Sequence, residues 1–503
     1  MESYHDKAER AARMVTGKRG SGLSRRRLLQ GAGCAIGVAV FRPWVAMATE
    51  SVSPVMARLS TYMSEARARA LPSEVLEKVK QHVLDTIAAM VSGAELPPGI
   101  AALKFARSYG GEKVATVVSS TNLCGSIEAA LVNGMLAHSD ETDDSHAPSL
   151  SHPGCAVVPA ALAAGEQFGV SGLQFLRAVA LGYDVGPRVT MTLGGADFQM
   201  KQHRSTHSVS GEFGAAAAAG CAADLNAQQM RWLLDYAAQQ SSGIAAWQRD
   251  TDHIEKSFAF AGMTARSGVT AALLVQSGWT GVDDVFSGAD NFFMAYAPKA
   301  DPAGLIDRLG ERYEVTRTNI KKWTVGSPIQ APLDALEILL KRRPITPDQV
   351  QKIVVRVATT EASVVDNREM PDICLQHMLA VMLIDKTASF ASAHDRARMK
   401  DATVLRERAK VQLVPDAELE KLLPARVASV EVTLTDGTRL SEQVKAVRGT
   451  ADNPMSRDEV IAKARDLMGP VLGAEKAGKL IDTLLALENT KDIHQLRPLL
   501  QRG

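Results

Sequence analysis

Histidines and carboxylates that could exchange protons are concentrated in one stretch of this chain, AHSDETDDSHAPSLSHPG, at residues 137–154. The stretch holds three histidines and four acids, and six of the eleven histidines of the chain fall between His138 and His253. Imidazole titrates near neutral pH, so this density indicates proton-transfer chemistry. A solvated loop between two helices would account for the acids but not for the histidines.

Three further polar clusters could act together with this stretch. They are HRSTHS at residues 203–208, RDTDHIEK at residues 249–256 and KKW at residues 321–323. Together they supply a base, an acid and cations, which are needed to remove a proton beside a carboxylate and to expel a β-hydroxyl. A carboxylate such as Glu141 or Asp144 would orient an imidazole and support its charged form.

Three other classes of protein share parts of this pattern. Residues 140–144 look like the aspartate-rich motif with which helical isoprenoid synthases hold magnesium, but a second acidic motif is not apparent. His138, His146 and His152 could serve a metal hydrolase, although their spacings of eight and six residues fit no compact ligand motif. A periplasmic carboxylate-binding protein is the third alternative, and its usual two α/β lobes do not match this sequence.

The first 48 residues are typical of a twin-arginine export signal. They carry nine basic and three acidic residues, whereas the whole chain has 57 Lys and Arg against 56 Asp and Glu. The motif SRRRLLQ at residues 24–30 precedes a short apolar run to Phe41, and AMA at residues 46–48 fits a cleavage site. We expect a periplasmic or secreted protein with no membrane segment in its mature form. The weakly acidic remainder argues against a nucleic-acid partner.

Most of the remaining chain has the pattern of packed helices. From Ser53 to about Val325, apolar residues recur every three or four positions, and only 5% of all residues are aromatic. Five consecutive alanines in the segment 214–223 predict a central helix that lies close to other backbones beneath a site. The five cysteines form no C-x-x-C pair, so neither a zinc knuckle nor an iron–sulfur cluster is indicated.

A smaller α+β segment interrupts the helices. Residues 352–357, 428–434 and 438–444 alternate as strands, and Asp436-Gly437 predicts a hairpin turn between the last two. The fold class that we predict is mainly α with an inserted α+β lid. The predicted domains are a signal peptide (1–48), a discontinuous helical domain (52–323 and 453–503) and the lid (324–452).

An ordered series of motifs resembles the MmgE/PrpD family, which includes 2-methylcitrate dehydratase and cis-aconitate decarboxylase. The resemblance extends from about Val52 to the C-terminus and rests on NGMLAH (133–138), DDSH (143–146), HPG (152–154), VPAALA (158–163), GYDV (182–185) and GSP (326–328). It implies a helical domain with an α+β lid, a site in the cleft between them and a homodimer. It also implies catalysis without a metal or an organic cofactor.

The resemblance further implies roles for individual residues. His152 matches the family's histidine before proline, Lys256 its lysine after the alanine helix and Lys321 its lysine at the lid junction. Glu141 occupies the place of the first aspartate in the family's Leu-Asp-Phe-Asp-Asp run, so the acid is kept with a longer side chain.

Two positions depart from the family pattern. The family's second histidine falls at Ser205, which lies between His203 and His207, and we choose His207 for its role. His377 falls near a position that is tyrosine in the decarboxylase branch, which argues against decarboxylation.

The function that we predict is a hydro-lyase acting on a small hydroxy-polycarboxylate such as a 2-methylcitrate-like acid. Decarboxylation and isomerisation stay open as alternatives, because each begins with the same enolate-type stabilisation. The predicted catalytic residues are Glu141, Asp144, His152, His207 and Lys256, and the predicted substrate-binding residues are His203, Lys321 and His377.

Overall fold

The computed structural model describes residues 52–502 of the chain. The predicted export signal at residues 1–48 lies outside the described residues and remains a prediction. The described part is mainly helical with small sheets, which confirms the predicted fold class.

The helical part begins the described chain and includes one short antiparallel hairpin, β1 (Ala115–Thr116) with β2 (Leu123–Cys124). Its helices are α1 (Pro54–Glu65), α2 (Ser73–Gly93), α3 (Pro97–Tyr109), α4 (Ser126–Ala137), α5 (Gly154–Phe168), α6 (Gly172–Leu193), α7 (Ala196–Gln202), α8 (Thr206–Ala222), α9 (Ala227–Gln240), α10 (Ile254–Ser257), α11 (Met263–Gln276) and α12 (Phe292–Tyr296). The alanine-rich helix α8 is buried over its whole length, and the Ser205 hydroxyl accepts a hydrogen bond from Ser208 N at its start.

Small residues let α6 and α8 cross at close range. A Cβ atom on Gly186 of α6 would lie 2.2 Å from the carbonyl oxygen of Ser210 in α8. A Cβ atom on Gly214 of α8 would lie 2.9 Å from the carbonyl oxygen of Gly182. The backbones of the two helices therefore touch directly, and the start of α8 is held firmly in the middle of the helical part.

A four-stranded sheet and the helices around it form the α+β part. The sheet has the strand order β4-β3-β5-β6, with β3 parallel to β4 and all other pairs antiparallel. The predicted turn at Asp436-Gly437 joins β5 to β6, and Gly437 has a φ of 84°. The elements of this part are α13 (Ser327–Arg342), β3 (Val350–Ala358), α14 (Thr359–Val365), α15 (Leu375–Asp385), α16 (Phe390–His394), α17 (Ala402–Arg408), β4 (Val411–Asp416), α18 (Ala417–Glu420), β5 (Ala428–Leu434) and β6 (Arg439–Val444).

The C-terminal segment returns to the helical part as α19 (Arg457–Leu472), α20 (Ala474–Leu485) and α21 (Arg497–Leu500). Ser456 and Glu459 form a capping box at the start of α19, as their spacing predicts. One hydrophobic core runs through residues 56–320 and 455–500, and a second lies within residues 323–447.

One helical segment among the described residues, Ile254–Gln276, which runs from α10 to the end of α11, is long and apolar enough to cross a membrane by length and composition alone. The pair α2 and α3, bent by 83°, would be a second candidate if it formed one span. In the helix Ile254–Gln276, 61% of the apolar window is buried inside the protein, as in the core helix of a helical bundle.

The close crossing of α6 and α8 predicts that Gly186→Ala lowers the free energy of unfolding by about 1–3 kcal/mol, because the new methyl group meets backbone. Gly478→Ala in α20 is the matched control, since a Cβ atom there meets nothing within 4 Å. We expect the control to leave stability unchanged or to raise it by up to about 1 kcal/mol. Urea denaturation, monitored by circular dichroism, measures the free energy of unfolding of both variants. Equal stability of the two variants would contradict the direct backbone contact.

Candidate active site

The four acids of residues 137–154 lie inside the protein. The stretch connects α4 to α5, and Asp140, Glu141, Asp143 and Asp144 are each at most 7% exposed. Burial of a carboxylate is costly unless a cation or a hydrogen-bond donor accompanies it. Each of the four has such partners, and the partners come from different parts of the chain.

Asp143 contacts two imidazoles at once. Its Oδ2 lies 2.9 Å from Nδ1 of His138, and its Oδ1 lies 3.1 Å from Nδ1 of His152. Burial opposes ionisation, but the two imidazoles outweigh it and hold the pKa of Asp143 well below its usual range. Asp143 is therefore a carboxylate that orients His152 through Nδ1 and leaves Nε2 for proton exchange.

Glu141 is the centre of a second cluster. Its Oε1 forms an ion pair with Nζ of Lys256 and lies 3.2 Å from Nε2 of His253. Nζ of Lys321 donates a hydrogen bond to the backbone carbonyl of Glu141 at 2.7 Å. Burial again opposes ionisation, but Lys256 and these neighbours hold the pKa of Glu141 well below its usual range. The side chain therefore carries a full negative charge.

His207 lies in the first turn of α8, beside His152. Its ring stacks on Phe260 with 3.9 Å between centroids, and the His152 ring lies 5.1 Å away. Phe260 is part of a π-helical turn, Phe258–Gly262, between α10 and α11. Burial, followed by the charges of His152 and Lys256, lowers the pKa of His207 well below its usual value. An uncharged imidazole in this position can accept a proton.

One cavity of about 490 Å³, a size that suits a small molecule, lies beside these groups and is lined by several of them. Both the helical part and the α+β part contribute to its wall. The helical part supplies Glu141, His152, Gln199, His207, Trp247, Asp250, His253, Lys256 and Phe260. The α+β part supplies Ser327, Thr360, Ser363, Arg368 and Arg426. The structure thus brings together Glu141, His152, His207 and Lys256 from the predicted site residues.

Comparison with known proteins places this architecture in a family. Residues 57–304 match the MmgE/PrpD N-terminal domain, and residues 323–489 match the MmgE/PrpD C-terminal domain. The chain belongs to the MmgE/PrpD family. It is 26% identical over 475 residues to the cis-aconitate decarboxylase-like protein oryM of Aspergillus oryzae, a match that covers 89% of this chain and 97% of the relative.

Two further relatives show the range of reactions in the MmgE/PrpD family. Cis-aconitate decarboxylase of Aspergillus terreus is 24% identical over 479 residues, which cover 89% of this chain and 96% of the relative. The 2-methylcitrate dehydratase-like protein oryR of Aspergillus oryzae is 28% identical over 171 residues, 31% of this chain and 34% of the relative. Both names denote lyases, which supports lyase activity in this MmgE/PrpD protein at the level of reaction class.

Asp144, which we predicted together with Glu141 as a candidate orienting carboxylate, does not contact His152 in this MmgE/PrpD chain. It turns away from the cavity, where Oδ2 lies 2.8 Å from Nδ1 of His82 and accepts a hydrogen bond from the Tyr183 hydroxyl. Its Oδ1 accepts a hydrogen bond from Gly154 N at 3.0 Å. The adjacent Asp143 contacts His152 instead.

The three predicted substrate-binding residues also lie outside the wall of this cavity. Lys321 is buried behind it, and Nζ lies 3.7 Å from Oε2 of Glu141 and 3.8 Å from Oδ1 of Asp143. It borders a neighbouring cavity of about 360 Å³ instead. His203 ends α7 with an exposed side chain and a φ of 56°. His377 is fully buried in the core of the α+β part, where burial lowers its pKa to about 4.

His253 is a cavity residue that the sequence analysis did not single out. It lies three positions before Lys256 in the RDTDHIEK cluster, so that cluster was the signal for it. It has a φ of 61°, a left-handed backbone conformation that is uncommon for a residue with a side chain. Its ring lies 5.0 Å from His138. Arg368 and Arg426 were also missed, because a lone arginine in a polar segment has no local pattern that distinguishes it.

Three buried groups that can bind metals, His138, Asp143 and Cys155, lie within 4.8 Å of one another behind the cavity. Asp143 is already shared by two imidazoles, and the Cys155 thiol contacts the carbonyl of His152 at 3.1 Å. Burial raises the pKa of this thiol well above its usual value, which keeps it protonated and makes it a weak ligand. His146 does not join the group, since its Nε2 lies 3.2 Å from Oε2 of Glu314.

Asp140 connects the loop to the α+β part. Its Oδ2 lies 2.8 Å from Nε2 of His394, whose Nδ1 lies 2.8 Å from the carbonyl of Phe390. Burial opposes the charged imidazole, but the Asp140 carboxylate outweighs it and raises the pKa of His394 to about 9. Because the pKa is higher in the folded state, the ion pair stabilises the fold fully below pH 6.5, and this contribution is lost as the pH rises towards about 9.

His394→Gln should therefore lower the free energy of unfolding by about 2–3 kcal/mol near pH 6, and by much less near pH 10. Urea denaturation of the variant and the natural protein at both pH values measures the difference. In an Asp140→Asn background the same substitution should lose its pH dependence. If His394→Gln lowers the free energy of unfolding by the same amount at both pH values, His394 is not charged in the folded protein.

Proposed function

We propose that the protein is a cofactor-independent lyase that moves a proton on a small polycarboxylate, with dehydration of a hydroxy acid as its first candidate reaction. The observation that carries this proposal is the pair of imidazoles in one cavity wall. His152 is oriented by Asp143, and the uncharged His207 lies 5.1 Å from it between ring centroids. The names of the relatives support lyase chemistry on acids of this kind.

The two imidazoles fit the two proton transfers of a dehydration. His207, which is uncharged at neutral pH, is suited to remove the proton from the carbon beside a carboxylate. The electron pair moves into that carboxylate as an enolate-like anion, which the ammonium group of Lys256 stabilises. The imidazolium form of His152 gives a proton to the departing hydroxyl, so water leaves and a C=C bond forms.

Asp143 and Glu141 act through the groups that they hold. Asp143 fixes the ring of His152 and supports its charged form, and Glu141 keeps Lys256 at the cavity wall. Lys321 lies within 4 Å of both carboxylates and offsets their repulsion. The two acids and the two lysines thus balance in charge, which lets them remain buried together.

Decarboxylation of an unsaturated polycarboxylate is the second candidate. The relatives that match nearly the whole chain are named as cis-aconitate decarboxylases or as like them, whereas the dehydratase-like relative matches 31% of it. The sequence argument against decarboxylation came from His377. That residue is buried away from the cavity, so the loss of a tyrosine there has no direct consequence for a ligand.

Location and assembly are further parts of the proposal. Export through the twin-arginine system rests on SRRRLLQ at residues 24–30 and on AMA at residues 46–48. The homodimer rests on the family resemblance. N-terminal sequencing of the protein recovered from the periplasm tests the first, and size-exclusion chromatography with light scattering tests the second.

We expect the purified protein to convert at least one member of a panel of hydroxy-tricarboxylates and their unsaturated counterparts. Ultraviolet absorbance of a new C=C bond reports dehydration, and released carbon dioxide reports decarboxylation. His152→Asn and His207→Asn should each lower kcat/KM by about 10²–10⁴-fold, because each removes one proton transfer. Lys256→Met should also lower it, since the developing anion loses its cation.

His494→Asn is the matched control, because its side chain is 35% exposed and lies outside the cavity lining. It should leave turnover unchanged. If His152→Asn and His207→Asn turn over the substrate as fast as the control does, proton transfer at these two residues is refuted.

A further inference from the structure

Two hydrogen-bond donors in the cavity wall have no acceptor among residues 52–502. One is the guanidinium group of Arg368, which forms no ion pair or hydrogen bond with another side chain or with the backbone there. The other is the indole N–H of Trp247, whose nitrogen is buried and unpaired. Both groups only donate hydrogen bonds. The Trp247 nitrogen is buried, where a donor without an acceptor is costly, whereas the Arg368 side chain is partly exposed and presents an unpaired positive charge. An acceptor on a bound ligand would satisfy them.

The other charged groups of the cavity wall are already occupied. Lys256 pairs with Glu141, and Nη1 of Arg426 pairs with Glu361. The carboxylate of Asp250 accepts hydrogen bonds from the backbone N–H groups of residues 252 and 256. Arg368 is thus the lining cation that lacks a carboxylate within the described part of the chain. A guanidinium group of this kind matches a carboxylate in shape and charge.

The indole of Trp247 is held in place by aromatic contacts. Its ring meets Phe260 edge-on with 4.6 Å between centroids and an interplanar angle of 85°. It meets His207 in the same way at 5.5 Å and 88°. Nζ of Lys256 lies 5.5 Å from the centre of the indole ring. The N–H donor therefore belongs to the same wall as the proposed base and the proposed cation.

The two donors come from different parts of the chain. Trp247 lies in the 3₁₀ turn Ala245–Arg249 of the helical part, and Arg368 follows α14 in the α+β part. One carboxylate could be bound near Trp247, His207 and Lys256, where the proton transfers are proposed. A second carboxylate, away from the reacting carbon, could be bound by Arg368.

We infer that Arg368 and Trp247 form a carboxylate-binding pair that selects ligands with at least two carboxylates and spans the helical part and the α+β part. This inference rests on the proposed function, since it names the substrate class of the same cavity. Ligands with a single carboxylate satisfy only one of the two donors and bind more weakly.

Binding of unreactive acids by isothermal titration calorimetry tests the inference. The probes are propane-1,2,3-tricarboxylate, pentanedioate, which lacks its central carboxylate, and 2-ethylbutanedioate, in which a methyl group replaces a terminal carboxylate. The variants are Arg368→Met and Trp247→Phe, the second of which keeps an aromatic ring and removes only the N–H donor. Arg356→Met is the control, because Arg356 is an exposed arginine of β3 without an ion pair in the described residues and lies outside the cavity lining.

We expect Arg368→Met to lower the affinity of the protein for propane-1,2,3-tricarboxylate by about tenfold or more. It should leave the affinity of one of the two dicarboxylates unchanged, namely the one that lacks the carboxylate bound by Arg368. Trp247→Phe should lower the affinity for the tricarboxylate by about three- to tenfold. Arg356→Met should leave this affinity unchanged.

The inference is overturned, while the proposed function stands, if the natural protein binds the tricarboxylate and Arg368→Met binds it with the same affinity as Arg356→Met. The inference is also overturned if Arg368→Met lowers the affinity for all three probes by the same factor, because the effect of Arg368 is then not tied to one carboxylate. If the natural protein binds none of the probes and converts none of the hydroxy-tricarboxylates and unsaturated acids of the panel, the polycarboxylate function itself is refuted.

Discussion

The buried carboxylate of Asp143, shared between the imidazoles of His138 and His152, is the interaction on which the rest of the site depends. A carboxylate without solvent must be compensated, and here the two imidazoles provide the compensation. His138 precedes Asp143 by five residues and His152 follows it by nine, so their convergence requires the loop to fold back on itself. That fold brings His152 to the cavity wall in a defined orientation.

The other acids of the loop extend the same principle to distant parts of the chain. Each buried acid acquires partners from a different element, so the loop that carries the chemistry also joins those elements. The partners are His394 of α16 for Asp140, Lys256 of α10 and His253 for Glu141, and His82 of α2 and Tyr183 of α6 for Asp144. A change at any of these acids is therefore expected to lower stability, and a change at Glu141 or Asp143 should also lower activity, since these two hold Lys256 and His152.

The alanine and glycine content of the helical part has a related consequence. Direct contact between the backbones of α6 and α8 leaves little freedom for the start of α8, where His207 lies. Phe260 stacks on His207 from the π turn that interrupts the long helix Ile254–Gln276. Rigid packing on one side and an aromatic face on the other hold an imidazole that has no hydrogen-bond partner at Nδ1 among residues 52–502.

The sequence by itself determined the features that depend on local pattern. Apolar periodicity indicated the helices, Asp436-Gly437 indicated the β5–β6 turn, and Ser456 with Glu459 indicated the start of α19, because each signal acts over a few residues. Strand β4 (Val411–Asp416) had no such signal and was not predicted, since it gains its stability from parallel pairing with β3. The density of histidines and acids located the site, because the capacity for proton transfer is a property of residue type.

Only the tertiary structure decided which of these residues act together. Asp143 and Asp144 are equivalent in sequence, yet one faces His152 and the other faces His82 and Tyr183. His203 and His207 differ by four positions, and only the second lies in the cavity wall. The direction of a side chain in a loop is set by long-range packing and by the need to pair buried charge, and neither leaves a mark in a short stretch of sequence.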